Sequence, residues 1–255
     1  MCLILFKYQP NEHYKLLLLA NRDEYHQRQA KQADYWINHP HIFGGIDSVA
    51  GGSWLSVDTA GRLAAITNIR KPPFAKDNKL SRGHIINDFL SQQQPAPEFL
   101  DALKLNDTSY GLFNLLLFDK TGLWHYSSDT HISKQVEPGI HGLSNASLDT
   151  PWPKITTGSE QLKHVLDGDS IDPVELINIM QSEKKPIDAQ LPHTGVGVEF
   201  ERFLSTIFIR GENYGTRCTT LLTIDNEDFL QFVELSYDKD GHITSEVMQE
   251  IELSR

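Results

Sequence analysis

The sequence predicts an α+β fold with mainly antiparallel sheets, and three observations lead to that prediction. Apolar β-type runs occupy both ends of the chain, helical patterns occupy the middle, and the strands follow one another at hairpin-like spacing rather than in β-α-β alternation. Several strands, such as 112–118, are apolar on both faces, so both faces must be covered. The pattern indicates helices outside and sheets inside, in a single domain over residues 1–255.

The N-terminal third is predicted to be rich in strands. Two apolar runs, 3–8 and 15–20, are separated by the turn-like QPNEH, and SWLSVDTAGRLAAITN predicts a hairpin with its turn at 58–61. SRGHIINDFLSQ predicts a helix, and 99–105 predicts a second short one. The apolar stripe of the first helix consists of Ile85, Ile86, Phe89 and Leu90.

The rest of the chain continues the same alternation of strand and helix blocks. Strands are predicted at 112–119, 123–127, 205–210, 218–225, 229–237 and 243–253, and helices at 152–166 and 173–180. Residues 182–200 are polar and contain Gly and Pro, which predicts a loop.

Composition excludes several classes of partner. The formal net charge of −11 argues against general nucleic-acid binding and against adsorption to an anionic membrane. No stretch approaches the roughly 20 apolar residues of a membrane span, and the apolar run 2–6 is too short for a signal peptide and lacks a positive leader. We therefore expect a cytoplasmic protein. The two cysteines form no CxxC motif, and both are expected to be free thiols.

An abrupt change from apolar to polar residues follows the second predicted strand. Leu16 to Ala20 runs directly into Asn21, Arg22, Asp23 and Glu24. These four residues are either the first exposed residues of a strand that leaves the core, or polar groups that a buried strand delivers into a cleft.

Cys2 has two interpretations. It is either a small apolar residue that begins the first strand, or a nucleophile. Because cysteine is small, the initiator methionine is normally removed ahead of it, which leaves a thiol and an α-amine on one residue. That amine has a pKa of about 7.7–8.0, so it can accept the thiol proton without any histidine.

Motifs spread along most of the chain resemble one family. In order, they are MC, ANRDE, GGSWL, AAITNIRKP, SRG, GLSNA, DTPWPK and YGTR. This set resembles the NRDE family, which includes the eukaryotic transport and Golgi organisation protein 2. The resemblance implies a four-layer αββα fold of the N-terminal nucleophile (Ntn) hydrolases, similar to choloylglycine hydrolase and penicillin V acylase.

The resemblance also implies catalytic residues. Cys2 stands where that hydrolase group has its nucleophile, and Asp23 matches the aspartate that holds the N-terminal amine. Asn68 matches the asparagine that donates to the oxyanion, and Asn145 matches a second asparagine that lines the site. Arg217 in YGTR matches a late-strand arginine.

Four further residues of the NRDE-type motifs are candidates for ligand binding. They are Asn21, Arg22, Trp54 and Arg82. Arg22 directly precedes the aspartate, unlike the arginine of the hydrolase motif, so the catalytic arginine is not assigned to it. For Trp54 the alternative is a core residue, and for Arg82 it is an ordinary charge near a helix start.

Two functions from different classes remain open. The first, implied by the family, is a cytoplasmic haem-binding and haem-trafficking protein, with haem as cargo and arginines that could meet its propionates. The second is an amidohydrolase or thioesterase that acts through Cys2 on a small amide or acyl substrate and needs no cofactor. The sequence contains no CxxCH and no patterned histidines, and it predicts no metal site. A scaffold role without a small-molecule site is a third, less supported option.

Overall fold

The computed structural model describes residues 2–8, 13–72, 80–168 and 170–253, and of Cys2 it describes the backbone alone. The strands are β1 (Cys2–Tyr8), β2 (Tyr14–Tyr25), β3 (Ala30–Trp36), β4 (His39–Asp47), β5 (Leu55–Asp58), β6 (Leu63–Asn68), β7 (Phe113–Asp119), β8 (Gly122–Ser127), β9 (Ile132–Gln135), β10 (Gly139–Leu143), β11 (Tyr214–Asp225), β12 (Phe229–Tyr237) and β13 (Ile243–Glu252). The helices are α1 (Gly83–Ser91), α2 (Ala96–Lys104), α3 (Pro153–Leu166), α4 (Pro173–Met180) and α5 (Val198–Phe203).

The described strands form two antiparallel sheets. One has six strands in the order β10-β1-β2-β11-β12-β13, and the other has seven in the order β3-β4-β5-β6-β7-β8-β9. The seven-stranded sheet is almost a meander, because each of its strands pairs with its neighbours along the chain. The six-stranded sheet instead joins both ends of the chain, since β2 pairs with β11.

Three apolar cores separate four layers. The central core lies between the sheets and contains Phe6, Leu18, Val57, Leu116 and Phe232. A second core packs α1 and α2 against the seven-stranded sheet, and a third packs α3 and α4 against the six-stranded sheet. The layers are therefore helix, sheet, sheet and helix, which confirms the predicted αββα architecture.

The leucines of β2 show why the layers form. Side chains alternate between the faces of a strand, and here Leu16 and Leu18 enter the central core whereas Leu17 and Leu19 contact the helices. A strand that is apolar on both faces can lower its free energy only where both faces are covered. The same alternation directs Arg22 towards the other sheet and Asp23 towards the helices.

Several predicted elements are confirmed. The hairpin turn at 58–61 is present, with Gly61 at a positive φ of 81°. The stripe formed by Ile85, Ile86, Phe89 and Leu90 is buried on α1, and α4 has the predicted bounds. None of the helices in the described part of the chain is both long and apolar enough to cross a membrane.

The structure differs from the predicted elements in several places. The second strand does not end at Ala20 but continues to Tyr25, because its backbone pairs with β1 as far as Arg22 and with β11 as far as Tyr25. The sequence pattern also fails to predict strands β3, β4, β9 and β10; β3 and β9 are edge strands whose mostly exposed side chains lack the apolar signal. Residues 205–210 form no strand: Ile207 and Phe208 are buried in separate apolar clusters without a ladder.

Candidate functional site

The polar end of β2 is the centre of the candidate site. Arg22 is buried, its guanidinium lies 4.4 Å from the centre of the Trp54 ring, and its Nη2 lies 3.3 Å from Asp47 Oδ2. Gly45 allows this arrangement, because a Cβ at that position would lie 2.2 Å from the indole. Trp54 therefore packs against β4 on one side, and its ring makes a cation–π contact with the Arg22 guanidinium.

Asp47 serves two arginines. Its Oδ2 also accepts a 2.6 Å hydrogen bond from Arg28 Nε, and its Oδ1 accepts the backbone N–H groups of Val49 and Ala50. Burial opposes ionisation, but the Arg28 hydrogen bond and these N–H groups outweigh it and lower the pKa of Asp47. An ionised Asp47 holds Arg22 in place, although nothing in the sequence distinguished it.

Asp23 faces the helical layer and is buried. Its Oδ1 accepts a 2.7 Å hydrogen bond from Thr216 Oγ1. Burial raises the pKa of the Asp23 carboxyl, and the positive charge of Lys154 and the Thr216 hydrogen bond act in the opposite direction. Lys154 is also buried, and its Nζ donates to the carbonyl of Leu204 at 3.2 Å. Removing an acid and a lysine from water costs free energy that apolar residues would not cost.

The backbone of Cys2 lies next to the polar end of β2. Its position in β1 pairs with Arg22 in β2, and Arg22 pairs in turn with Cys218 in β11. Two strand spacings put the Cα atoms of the cysteines about 9–10 Å apart, which is too far for a disulfide. The Cys2 side chain lies outside the described residues, so its proposed chemistry stays a prediction.

The structure brings Asn68 and Asn145 together. Asn145 is buried, and its Nδ2 donates to the backbone carbonyl of Asn68 at 2.8 Å. Leu143, the last residue of β10, pairs with Ile4 near the start of β1, and beyond it the chain bends towards β6, where the backbone N–H of Arg70 donates to the carbonyl of Asn145. Asn145 therefore connects the end of β10 in one sheet to the end of β6 in the other, at the end of the sandwich where β1 begins.

Arg217 occupies a bulge in β11. Thr216 pairs with Asp23 and Cys218 pairs with Arg22, which leaves Arg217 as the extra residue. Its Nη1 donates to the carbonyl of His26 at 2.7 Å. Burial and the charge of Arg22 lower the pKa of Arg217. The bulge directs this arginine to the neighbourhood of Arg22.

Two of the predicted ligand-binding residues have structural partners instead. Asn21 has no exposed surface: its Nδ2 donates to the carbonyls of Met180 and Ile207, and its Oδ1 accepts from Thr219. Arg82 lies at the start of α1, where its Nη1 donates to the carbonyl of Leu112 at 3.1 Å. Neither residue lines the two cavities described next.

Two cavities adjoin the site. A cleft of about 250 Å³ between the sheets lies on the β11 side of Arg22 and is lined by Trp54, Arg217, Cys218 and Glu234. A larger cavity of about 590 Å³ lies on the helical side of the sheet and is lined in part by Lys154, whose charge acts on Asp23, although Asp23 is not itself a lining residue. Sequence patterns gave no sign of Glu234, apart from its being an acid within the apolar run of β12.

No group of three or more His, Cys, Asp or Glu side chains suited to a metal ion occurs among the residues that the structure describes. The arrangement instead combines a thiol-bearing residue at the strand start, a buried acid beside a buried lysine, and two asparagines. Such a set is suited to orienting an amine, a carbonyl or an anion.

Comparison with known proteins identifies the family. The family model described as "Transport and Golgi organisation 2" matches residues 1–239. The chain belongs to the transport and Golgi organisation 2 family. The human relative, named "Transport and Golgi organization protein 2 homolog", is 31% identical, with 94% of this chain and 95% of the relative covered. The mouse relative is 30% identical over the same shares of the two chains.

A solved structure confirms the fold of this family member. The Caenorhabditis elegans N-acylethanolamine-hydrolyzing acid amidase ortholog aligns with a TM-score of 0.54 over 87% of this chain and 92% of that chain, at 13% sequence identity. The fold is Ntn-hydrolase-like. At this identity the likeness concerns the fold alone, since one fold carries many functions.

Proposed function

We propose that the chain is a thiol hydrolase that uses Cys2 as its nucleophile on an amide, ester or thioester of a small acyl compound. The convergence of charged and amide residues on the start of β1 carries this proposal. Arg22 is its strand partner, Asp23 follows Arg22, and Asn145, two residues beyond the strand that pairs with β1, holds the backbone of Asn68. Asp23 and Lys154 are both buried near this point, although burial of polar groups costs free energy that apolar side chains would not cost.

The proposed reaction assigns one role to each residue. After loss of Met1, the α-amine of Cys2 accepts the thiol proton, and the thiolate attacks the substrate carbonyl. The leaving amine, alcohol or thiol takes that proton, and water then cleaves the acyl-thioester. Asp23 orients the ammonium, the Asn68 amide donates to the oxyanion, and Asn145 is a positioning residue that fixes the Asn68 backbone.

The test combines mass spectrometry with labelling and turnover. Intact mass shows whether Met1 is lost. Iodoacetamide at pH 7 is expected to label Cys2 at least tenfold faster than Cys218, the internal reference, because thiolate fraction governs the rate. Asp23→Asn is expected to slow labelling of Cys2 and to leave Cys218 unchanged.

Turnover is measured on p-nitrophenyl esters and acyl p-nitroanilides of increasing chain length. Cys2→Ala is expected to abolish it, and Asn68→Ala to lower kcat by about a hundredfold while sparing labelling. Asn226→Ala, at an exposed turn, is the matched control. Equal labelling of the two cysteines, together with turnover that survives Cys2→Ala, would refute the proposal.

Haem carriage is the second candidate, and the larger cavity favours it. Its volume lies within the range of about 300–1,000 Å³ typical of ligand pockets. Lys154, Lys184 and Lys185 line it against the single acid Glu160, in a chain whose net charge is −11. Two propionates could pair with these lysines. No His, Cys or Met is among its described lining residues, so the carboxylates and the ring would supply the contacts.

Haemin titration followed by the absorption band near its Soret maximum tests this candidate. One saturable site per chain is expected, with affinity reduced at least tenfold in the double variant Lys184→Gln/Lys185→Gln. The control Lys163→Gln/Lys239→Gln makes the same charge change at exposed positions elsewhere. Unsaturable uptake, or equal binding by both double variants, would exclude this cavity. Cys2→Ala is expected to leave this binding intact, which separates the two candidates.

A further inference from the structure

The cleft beside Arg22 contains two buried polar atoms without hydrogen-bond partners. The Cys218 thiol contacts the Glu234 carboxyl, but within the described residues neither Glu234 Oε2 nor Arg217 Nε has a nitrogen or oxygen partner. The other oxygen of Glu234 accepts the backbone N–H of Ala33 at 2.8 Å, and only 1% of this residue is exposed. Buried polar atoms are almost always hydrogen-bonded, so two such atoms in residues that line one small cavity favour the binding of a polar ligand there.

The charges around the cleft indicate that its ligand is negatively charged. Arg22, Arg217 and Lys31 line it, and Glu234 is the one acid among its lining residues. Burial raises the pKa of Glu234, so this carboxyl retains its proton to a higher pH than an exposed glutamate. Hydrogen-bond donors therefore predominate on the cleft walls, although the chain as a whole is acidic.

The geometry of the two arginines indicates which kind of anion fits the cleft. Arg22 is held by Asp47 and the Trp54 face, and Arg217 is held through the hydrogen bond from its Nη1 to the carbonyl of His26, so both guanidinium groups are preorganised. A guanidinium presents parallel N–H groups that match the oxygens of a carboxylate or phosphate. The cleft volume of about 250 Å³ is below that of most drug-sized ligand sites, so the occupant is small.

We propose that this cleft binds a small organic oxyanion, with Arg217 and Arg22 as donors and Glu234 closing the inner end. A carboxylate and a phosphate share this chemistry, and the experiment separates them. The proposal goes beyond hydrolysis and haem carriage: it requires neither a reactive Cys2 nor an occupied lysine cavity.

Unfolding in the presence of anions tests the proposal. The midpoint of thermal unfolding is measured in increasing succinate or inorganic phosphate, each against sodium chloride of equal ionic strength, because a ligand that binds the native state stabilises it. A saturable rise with at least one anion is expected. Arg217→Gln is expected to weaken the apparent affinity at least tenfold, and Arg217→Lys, which keeps the charge but not the fork, less so.

Arg202→Gln is the matched control. It makes the same charge change on α5, where Arg202 pairs with Asp188 and Glu199 outside the cleft. This variant is expected to bind the anion as the wild type does. No rise beyond sodium chloride with either anion, or equal loss of affinity in Arg217→Gln and Arg202→Gln, would overturn the proposal.

A second measurement locates the anion without altering the arginines. In the Cys2→Ser variant, Cys218 is the single cysteine of the chain and lines the cleft. The effective anion is expected to slow modification of Cys218 by the neutral reagent N-ethylmaleimide at least fivefold, with the same concentration dependence as the thermal shift. A stabilising anion that leaves the Cys218 rate unchanged would place the binding elsewhere and refute the cleft assignment.

Discussion

At the scale of single residues, neighbours in the NRDE motif serve different layers. Asn21 and Asp23 face the helices, whereas Arg22 faces the other sheet. Asn21 is the structural member: its side chain joins β2 to the end of α4 and to the segment around Ile207. Arg22 instead lines the cleft, and Asp23 lies near Lys154, which lines the larger cavity. One short motif therefore combines a residue that joins β2 to the helical layer, Asn21, with two residues of the candidate site, Arg22 and Asp23.

The substitution Asn21→Asp tests whether the Asn21 side chain holds β2 to α4 and to the segment around Ile207. The substitution preserves shape but replaces an amide that donates to two carbonyls with an oxygen that repels them. We expect the free energy of unfolding to fall by about 3 kcal/mol or more, since buried groups lose their partners. Urea denaturation followed by tryptophan fluorescence measures it. The exposed control Asn226→Asp is expected to change stability by less than about 0.5 kcal/mol; equal effects would contradict this role of Asn21.

At the scale of elements, the bulge at Arg217 determines which side chains of β11 lie opposite those of β2. It aligns Thr216 with Asp23 and Cys218 with Arg22. Because side chains alternate along a strand, one inserted residue decides which face each later side chain takes. Without the bulge, Thr216 could not donate to Asp23 while Cys218 lines the cleft.

Deleting Arg217 tests the bulge directly. A continuous ladder would move residues on one side of the deletion to the opposite face, so buried Asp23 would lose its Thr216 donor. We expect the deletion to lower the free energy of unfolding by at least about 2 kcal/mol more than Arg217→Ala, which keeps the bulge. Chemical denaturation of both variants provides the comparison. Similar stabilities would mean that the register does not depend on this residue.

At the scale of the whole molecule, the two sheets enclose polar groups as well as the central apolar core. Buried His125 on β8 lies 3.2 Å from Asn114 Oδ1, and the amide nitrogen of Asn114 donates to the carbonyl of Ala146. Burial lowers the pKa of His125 to about 4. The folded protein therefore keeps this imidazole neutral at pH values where the unfolded chain protonates it.

The pH dependence of unfolding follows from that difference. The unfolded imidazole has a pKa of about 6.5, so the stability due to neutral His125 is present above pH 6.5 and is lost as the pH falls towards 4. We expect the wild type to lose about 3 kcal/mol relative to His125→Gln between pH 7 and pH 4.

Urea denaturation at pH 7, 5.5 and 4 checks this expectation. Asp23 and Glu234, whose pKa values burial raises, act in the opposite sense, because their neutral forms favour folding at low pH. They are present in both proteins, so the comparison isolates His125. A constant stability difference across the three pH values would show that this residue does not titrate with folding.

The sequence by itself determined the layered architecture. Leu16 to Leu19 are apolar on both faces of a strand, and Ile85 to Leu90 form a helical stripe, so local periodicity specified what each element must cover. The motifs identified the family and directed attention to Cys2, Asp23, Asn68 and Asn145. Periodicity and motif spacing depend on residues that are close together along the chain, so both can be recognised from the sequence alone.

Only the tertiary structure decided what the polar residues do. Asn21 contacts Ile207 across 186 positions, Arg22 contacts Trp54 and Asp47, and Glu234, which belongs to no motif, lines the cleft beside them. The role of a polar side chain depends on which donor or acceptor it meets, and long-range strand pairing chooses that partner. The bulge at Arg217 shows the same dependence, since a single inserted residue changed which side chains face β2 and the cleft.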